Sequence, residues 1–191
     1  MPASADLLRL AALHRYSILD TYPETPFERL TRLAAAIFDA PMALISLLDE
    51  DRQWFKSHFG LDTCETPTGI SFCAHAIQSD AVLVIPDATK DPRFFQSPPV
   101  MGEPYVRFYA GAPLRTPGGV RIGTLCILDT LPRRALQNTE QQILTDLAAL
   151  AVDEMELRLL KRQARLANNP ILSSASDLAA SVARPEQELS K

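Results

Sequence analysis

Three cysteines and three histidines are the side chains of this sequence best suited to redox, covalent or metal chemistry. Cys73 and His75 stand two apart, while Cys64 and Cys126 are isolated. On a helix, residues two apart point to nearly opposite sides, so Cys73 and His75 do not close on one ion. No Cys-x-Cys or histidine cluster adds the ligands zinc would need, so no metal site is expected. Cys73 then reads first as a small buried thiol at a helix–sheet contact, with His75 bonding locally and lining any nearby cavity. A catalytic thiol needs a lowered pKa and access. Cys64, in a loop, has no evident activator, and Cys126 falls in an apolar run that reads as buried strand.

The charged and aromatic candidates follow. Arg107 and Tyr109 alternate with Phe108 and Ala110, so in a strand the guanidinium and the phenol share one face. That pair suits an anionic or polar ligand. The competing reading is an ion pair of Arg107 with Asp87 or Asp91, because a buried arginine needs a carboxylate. Trp54 is pocket lining or ordinary packing, with packing preferred. Asp87, Asp91, Arg93 and Phe94 belong to a proline-rich loop, where the charges cap turns and Phe94 faces the pocket. Asp49-Glu50-Asp51 is a solvated turn that lacks the glycine and terminal glutamate of a calcium loop. The expected ligand site is therefore Trp54, Cys73, His75, Asp87, Arg93, Phe94, Arg107 and Tyr109, without catalytic residues. No nucleophile elbow, phosphate loop or zinc-protease motif occurs, and the expectation is that the chain is not an enzyme.

These residues need a frame. Leu7, Leu8, Leu10, Ala11 and Leu13 suggest a short amphipathic helix. A Thr-x-x-Glu box at Thr25–Glu28, with Pro26 in the first turn, predicts a helix at 25–39, with Phe27, Leu30, Leu33, Ala34 and Ile37 at helical spacing. Met42–Leu48 reads as a strand covered on both faces, and Arg52–Phe59 pairs back as a hairpin. Residues 60–70 read as loop. Ser71 caps a short helix to about Gln78, and Val82–Ile85 is a third strand. Residues 86–104, with five prolines, form a long connection of the kind that is usually functional. Strands at 106–114 and 120–128 flank a Pro117-Gly118-Gly119 turn, and the second has two apolar or small faces, which puts it mid-sheet. A long helix starts at Asn138 or Thr139 and ends near Leu166. Consecutive hairpins demand antiparallel pairing, so the class is α+β.

Composition limits the partners. The 191 residues carry a net charge of -4, with 47% apolar residues. An acidic chain is a poor non-specific binder of nucleic acid or anionic membrane. No apolar run approaches the roughly 20 residues that span a bilayer, and no signal-peptide core follows Met1. With its odd, unpaired thiols, the chain is expected to be cytoplasmic.

Five strings then occur in order. They are Arg52-Gln53-Trp54-Phe55-Lys56, Ser71-Phe72-Cys73-Ala74-His75-Ala76-Ile77, Asp87-Ala88 with Asp91-x-Arg93-Phe94, Arg107 to Leu114, and Ile122 to Asp129. Together they resemble the GAF domains found at the front of bacterial sensor histidine kinases and diguanylate cyclases. The likeness covers residues 5–166 and leaves 167–191 as a flexible tail. It departs from the family pattern at Thr68, where an arginine is usual after Glu65-Thr66-Pro67. Bilin-binding members usually carry a Cys-His dipeptide, which Cys73-Ala74-His75 is not. The resemblance implies a mainly antiparallel sheet of five or six strands. The terminal helices would cover one face and the short helix with the long loop the other. It implies a sensory module for signal transduction that binds a small ligand, pairs as a homodimer through terminal helices, and serves a kinase or cyclase output partner. It names no cofactor, because members variously bind cyclic nucleotides, bilins, haem and metabolites. The alternatives are a thiol redox enzyme such as a free methionine sulfoxide reductase, and an interaction-only module. Met155, Leu159 and Leu166 form the expected dimer seam.

Overall fold

The structure, a computed structural model, describes residues 4–168. It contains α1 (Ser4–Arg15), α2 (Thr25–Ile37), β1 (Met42–Leu48), β2 (Arg52–Phe59), β3 (Glu65–Pro67), a 3-10 turn (Thr68–Ile70) and α3 (Phe72–Ala76). After these come β4 (Leu83–Ile85), α4 (Pro98–Met101), β5 (Phe108–Arg115), β6 (Arg121–Asp129) and α5 (Asn138–Ala167). The tail expected at 167–191 overlaps the end of α5 and otherwise lies outside the described residues. The described residues divide into two units, one ending at Met155 and the other beginning at Glu156.

The six strands make one sheet in the order β3-β2-β1-β6-β5-β4, and every pairing is antiparallel. β1 is buried throughout and β6 nearly so, as a strand with apolar residues on both faces requires. β1 and β6 lie so close that a Cβ on Gly123 would sit 2.0 Å from the Ser46 carbonyl oxygen; only glycine fits there. β3 and the 3-10 turn replace the loop expected at 60–70. Their residues have no apolar pattern, and β3 exists because Gln53 and Trp54 offer a free edge that Thr66 and Glu65 pair with. Within the proline loop the segment after Asp91 makes a hydrogen-bonded turn. The helical turn proper falls later, at Pro98–Met101, where Pro98 and Pro99 occupy its first positions.

The two faces carry different layers. α2 buries Phe27, Leu30, Thr31, Ala34 and Ala35 and packs on β1, β2 and β6. Its N-cap is Glu24, not Thr25, and no capping box forms. The Glu24 carboxylate is held 2.7 Å from the Lys56 ammonium instead. Leu33 and Ile37 are exposed, so the apolar stripe is narrower than the spacing suggests. On the opposite face, β-strand residues such as Leu44, Phe55, Tyr109 and Cys126 form a core with Phe72 and Cys73 of α3 and with Phe94, Val100 and Val106 of the long loop. In residues 138–155 of α5, Leu144, Leu147, Ala148, Ala151, Val152 and Met155 are buried, and none belongs to that second core. In the second unit, Leu157, Leu160 and Leu166 are exposed and Leu159 is buried. Of the three residues expected at the dimer seam, Met155 and Leu159 are buried and Leu166 is exposed. No helix of the described residues is long and apolar enough to cross a membrane.

Candidate functional site

A cavity of about 390 Å³ lies on the α3 face of the sheet. Leu44, Gln53, Phe55, Tyr109, Cys126 and Leu128 form its floor on the sheet. Ser71, Phe72 and Cys73 supply one wall. Leu61, Thr63, Thr66 and Pro67 supply a second, and Pro98, Pro99, Glu103, Pro104 and Val106 of the long loop a third. The volume falls within the range of small-ligand sites, roughly 300–1,000 Å³. Its lining is mainly apolar. No lysine, arginine or histidine is among the described lining residues, and Glu103 is the one charged residue named there.

Local structure sets these positions. The Ser71 hydroxyl accepts the Ala74 amide at 3.0 Å and so starts α3. Arg121 pins the other end, donating to the Ile77 carbonyl at 2.6 Å and to Asp80 at 2.8 Å. Phe72 then stacks on Tyr109 at 4.9 Å and meets Phe94 at 4.6 Å. Phe94 is fully buried yet does not line the cavity. It backs Phe72.

The polar groups beneath α3 are unusual. The Tyr109 hydroxyl donates to the Cys73 sulfur at 3.4 Å, and the sulfurs of Cys73 and Cys126 are 4.0 Å apart. All three side chains are buried. The hydrogen bond from Cys126 lowers Cys73 to about 7 against the opposing effect of burial, and the Thr124, Tyr109 and Ser46 hydroxyls turned toward the sulfur add to this. Burial, followed by the Cys73 hydrogen bond and charge, pushes Cys126 well up. The two titrate as one unit in which Cys73 ionises first. Ser46 Oγ, Thr124 Oγ1 and Gln53 Oε1 are buried and have no hydrogen-bond partner of normal geometry. Gln53 is among the residues that line the cavity, and an orphaned buried acceptor calls for a donor.

The expected site residues divide sharply. Cys73 and Tyr109 line the cavity. Trp54 lies on the α2 side, near the Lys56 ammonium that also covers the Phe27 ring. His75 is exposed, with Nδ1 3.3 Å from the Ser71 carbonyl oxygen and its ring edge-on to Phe94. Asp87 accepts from Thr89 and pairs with Lys90, and Asp91 accepts two hydrogen bonds from the Arg93 guanidinium and one from its backbone amide. These charges pin the loop, and Asp87 and Asp91 border a separate, shallow groove with Arg133. Arg107 makes neither proposed ion pair. It donates to the carbonyls of Val100 and Val106 at 2.8 and 3.1 Å and so braces the loop wall. Sequence reasoning missed Gln53, Thr63, Thr66, Glu103 and the prolines. Gln53 was within reach, because it shares the face of Phe55 two residues on. The others come from irregular backbone with no periodicity to read.

The profile of the GAF domain matches residues 23–155. A cyclic di-GMP phosphodiesterase of Pseudomonas aeruginosa is 43% identical over 144 residues, which is 75% of this chain and 24% of that protein. The chain thus spans about a quarter of that curated relative. Among solved structures, the GAF domain of an Acinetobacter phosphoenolpyruvate-protein phosphotransferase has a TM-score of 0.59 at 17% identity, over 81% of this chain and 95% of that one. A free methionine-R-sulfoxide reductase of Neisseria meningitidis, solved with its substrate, has a TM-score of 0.58 at 19% identity, over 86% and 95%. At those identities the likeness is one of fold. The expectation that this chain is not an enzyme is corrected here. The curated relative is named for a phosphodiesterase activity, and the reductase is an enzyme built on the same fold. A missing motif was a weak ground, because motifs report only chemistries whose residues lie close in sequence.

Proposed function

The chain belongs to the GAF domain family, and from that premise we propose that it is the ligand-sensing module of a signalling protein, of the kind that includes cyclic dinucleotide phosphodiesterases. The supporting observation is the mainly apolar cavity under α3, whose lining includes Gln53, a residue with a buried side-chain carbonyl that has no hydrogen-bond partner. The ligand is a small, uncharged, largely apolar molecule with one hydrogen-bond donor for Gln53. A cyclic dinucleotide is a poor candidate for this cavity. Its two phosphates call for cationic side chains, and none of the described lining residues is a cation. The cavity reads an input. Native mass spectrometry of the purified chain tests this. The expected result is a bound small molecule that Gln53→Leu and Leu44→Trp each release without unfolding. A chain that carries no molecule and gains no thermal stability from a library of neutral metabolites overturns it.

The module acts as a homodimer. Leu33 and Ile37 on α2 and Ile143 and Leu150 on α5 are exposed apolar residues, and Ile143 and Leu150 are seven apart, on one side of the helix. Light scattering over a concentration series is expected to show a dimer that Ile143→Glu with Leu150→Glu dissociates. A monomer at every concentration sinks the dimer.

A further inference from the structure

The buried thiols play no part in the ligand reading, and their geometry is not that of inert packing. Cys73 and Cys126 come from different elements, α3 and β6, 53 positions apart, yet their sulfurs face each other at 4.0 Å. Both residues are among those lining the cavity. The sulfurs must close from 4.0 Å to a bond of about 2.05 Å for a disulfide to form. Three hydroxyls surround the pair. Tyr109 donates to Cys73, while Ser46 and Thr124 keep unused hydrogen-bonding capacity that can serve a charged or oxygenated sulfur. Cys64, by contrast, is exposed and outside this cluster.

We propose that Cys73 and Cys126 form a redox-active dithiol at the floor of the cavity, oxidised to an intramolecular disulfide by a small hydroperoxide admitted through it. In the first step the Cys73 sulfur attacks the outer oxygen of the hydroperoxide. The O–O bond breaks, the thiol proton ends on the departing alkoxide, and Cys73 becomes a sulfenic acid. In the second, the Cys126 sulfur displaces that hydroxyl, which leaves with the Cys126 proton as water, and the S–S bond forms. Two electrons pass from the two sulfurs to the peroxide, which yields an alcohol and water. An external dithiol returns both protons and both electrons by exchange. The cavity admits the oxidant and releases products the size of water or a small alcohol. The disulfide ties α3 to the centre of the sheet and rebuilds one wall of the site. The lowered Cys73 pKa agrees with its part as the attacking sulfur.

The test uses the 191-residue chain with Cys64→Ser, which removes the exposed thiol and leaves the cavity untouched. Treated with hydrogen peroxide, the folded chain is expected to lose two hydrogens by intact mass. Peptide mapping without reductant should join residues 73 and 126, and dithiothreitol should reverse the change. In the same background Cys126→Ala leaves Cys73 as the one thiol, so the loss of two hydrogens should disappear and a sulfenic acid should remain at Cys73 that dimedone traps. Two results overturn the proposal. One is a folded chain, intact by circular dichroism, whose two thiols stay reduced under peroxide that oxidises Cys64 in the parent. The other is oxidation of Cys73 to sulfinic acid without a link to Cys126. Neither readout needs a resident ligand, so failure here leaves the sensing proposal standing, and an empty cavity leaves this one standing.

Discussion

The two faces of the sheet are built from the same strands and solve opposite problems. On the α2 face every buried polar group described above has an answer. The Thr31 and Ser57 hydroxyls bond to each other at 2.8 Å, and Thr31 also reaches the Glu28 carbonyl. The Lys56 ammonium, on a side chain that is 0% exposed, meets Glu24, Thr21 and the Tyr22 carbonyl at 2.7 to 2.9 Å. On the α3 face Ser46, Gln53 and Thr124 end in buried atoms without partners of normal geometry, next to two free thiols and a cavity. Orphaned buried groups are destabilising, and a scaffold face rids itself of them. Their concentration beneath α3 marks the face that keeps capacity for something else, which is how functional sites depart from the rules the rest of a fold obeys.

The hardest blow to the α2 face is Lys56→Ala. It removes three hydrogen bonds and the cation above Phe27, and it strips apolar stem from a packed interior. A loss of about 3 kcal/mol in urea denaturation is expected, with Lys56→Met recovering part of it by restoring the stem. A loss under about 1 kcal/mol would mean that this face is no better satisfied than the other.

A sharper version puts one substitution on both faces. Thr31→Val leaves Ser57 without its partner and is expected to cost about 1–2 kcal/mol. Thr124→Val removes a hydroxyl that faces the Cys73 sulfur without a hydrogen bond of normal geometry, keeps the shape, and is expected to be close to neutral. Equal costs at the two positions would break the comparison outright, since the chemistry removed is identical and only the surroundings differ.

The same contrast separates what the sequence makes legible from what it hides. The two hairpins, the mid-sheet place of β6 and the short helix after Ser71 follow from apolar periodicity, turn residues and a capping serine. Those signals are local or repeat at fixed spacing. The cavity has neither property. Its walls join β2, α3, β3 and the proline loop, and proximity across such distances is not encoded in period. Alternation does say that Gln53 and Phe55 share a face and that Trp54 points away. It does not say which face carries the cavity, and the aromatic residue drew attention to the wrong one. Arg107 misled for a related reason. A guanidinium beside a phenol suggests a ligand, but its donors go to backbone carbonyls of the loop, which no side-chain pattern announces.

The smallest expected effect concerns how the loop wall is held. Asp91 is kept below its ordinary value of 3.8, first by the hydrogen bond from Arg93, and Asp87 likewise, first by the Thr89 hydroxyl. Both are depressed carboxylates. Their contribution is complete above the unfolded value, near 3.8, and is lost as pH falls through the lower folded values. Stability of the wall should therefore be flat from neutral pH down to about 5 and should decline below about 4. Arg93 is 46% exposed on its side chain, and an ion pair so open to water is weak. Asp91→Asn is accordingly expected to lower the melting temperature at pH 7 by no more than about 3 °C, and to make the acid decline shallower. Hydrogen exchange at the Phe94 and Phe95 amides, both bonded to the Asp91 carbonyl, gives the local readout. Faster exchange there with unchanged exchange at Thr31 and Ser57 would assign these charges to the cavity wall alone. A uniform rise on both sides of the sheet would mean that the loop and the scaffold open together, and that the two faces differ in chemistry but not in cooperativity.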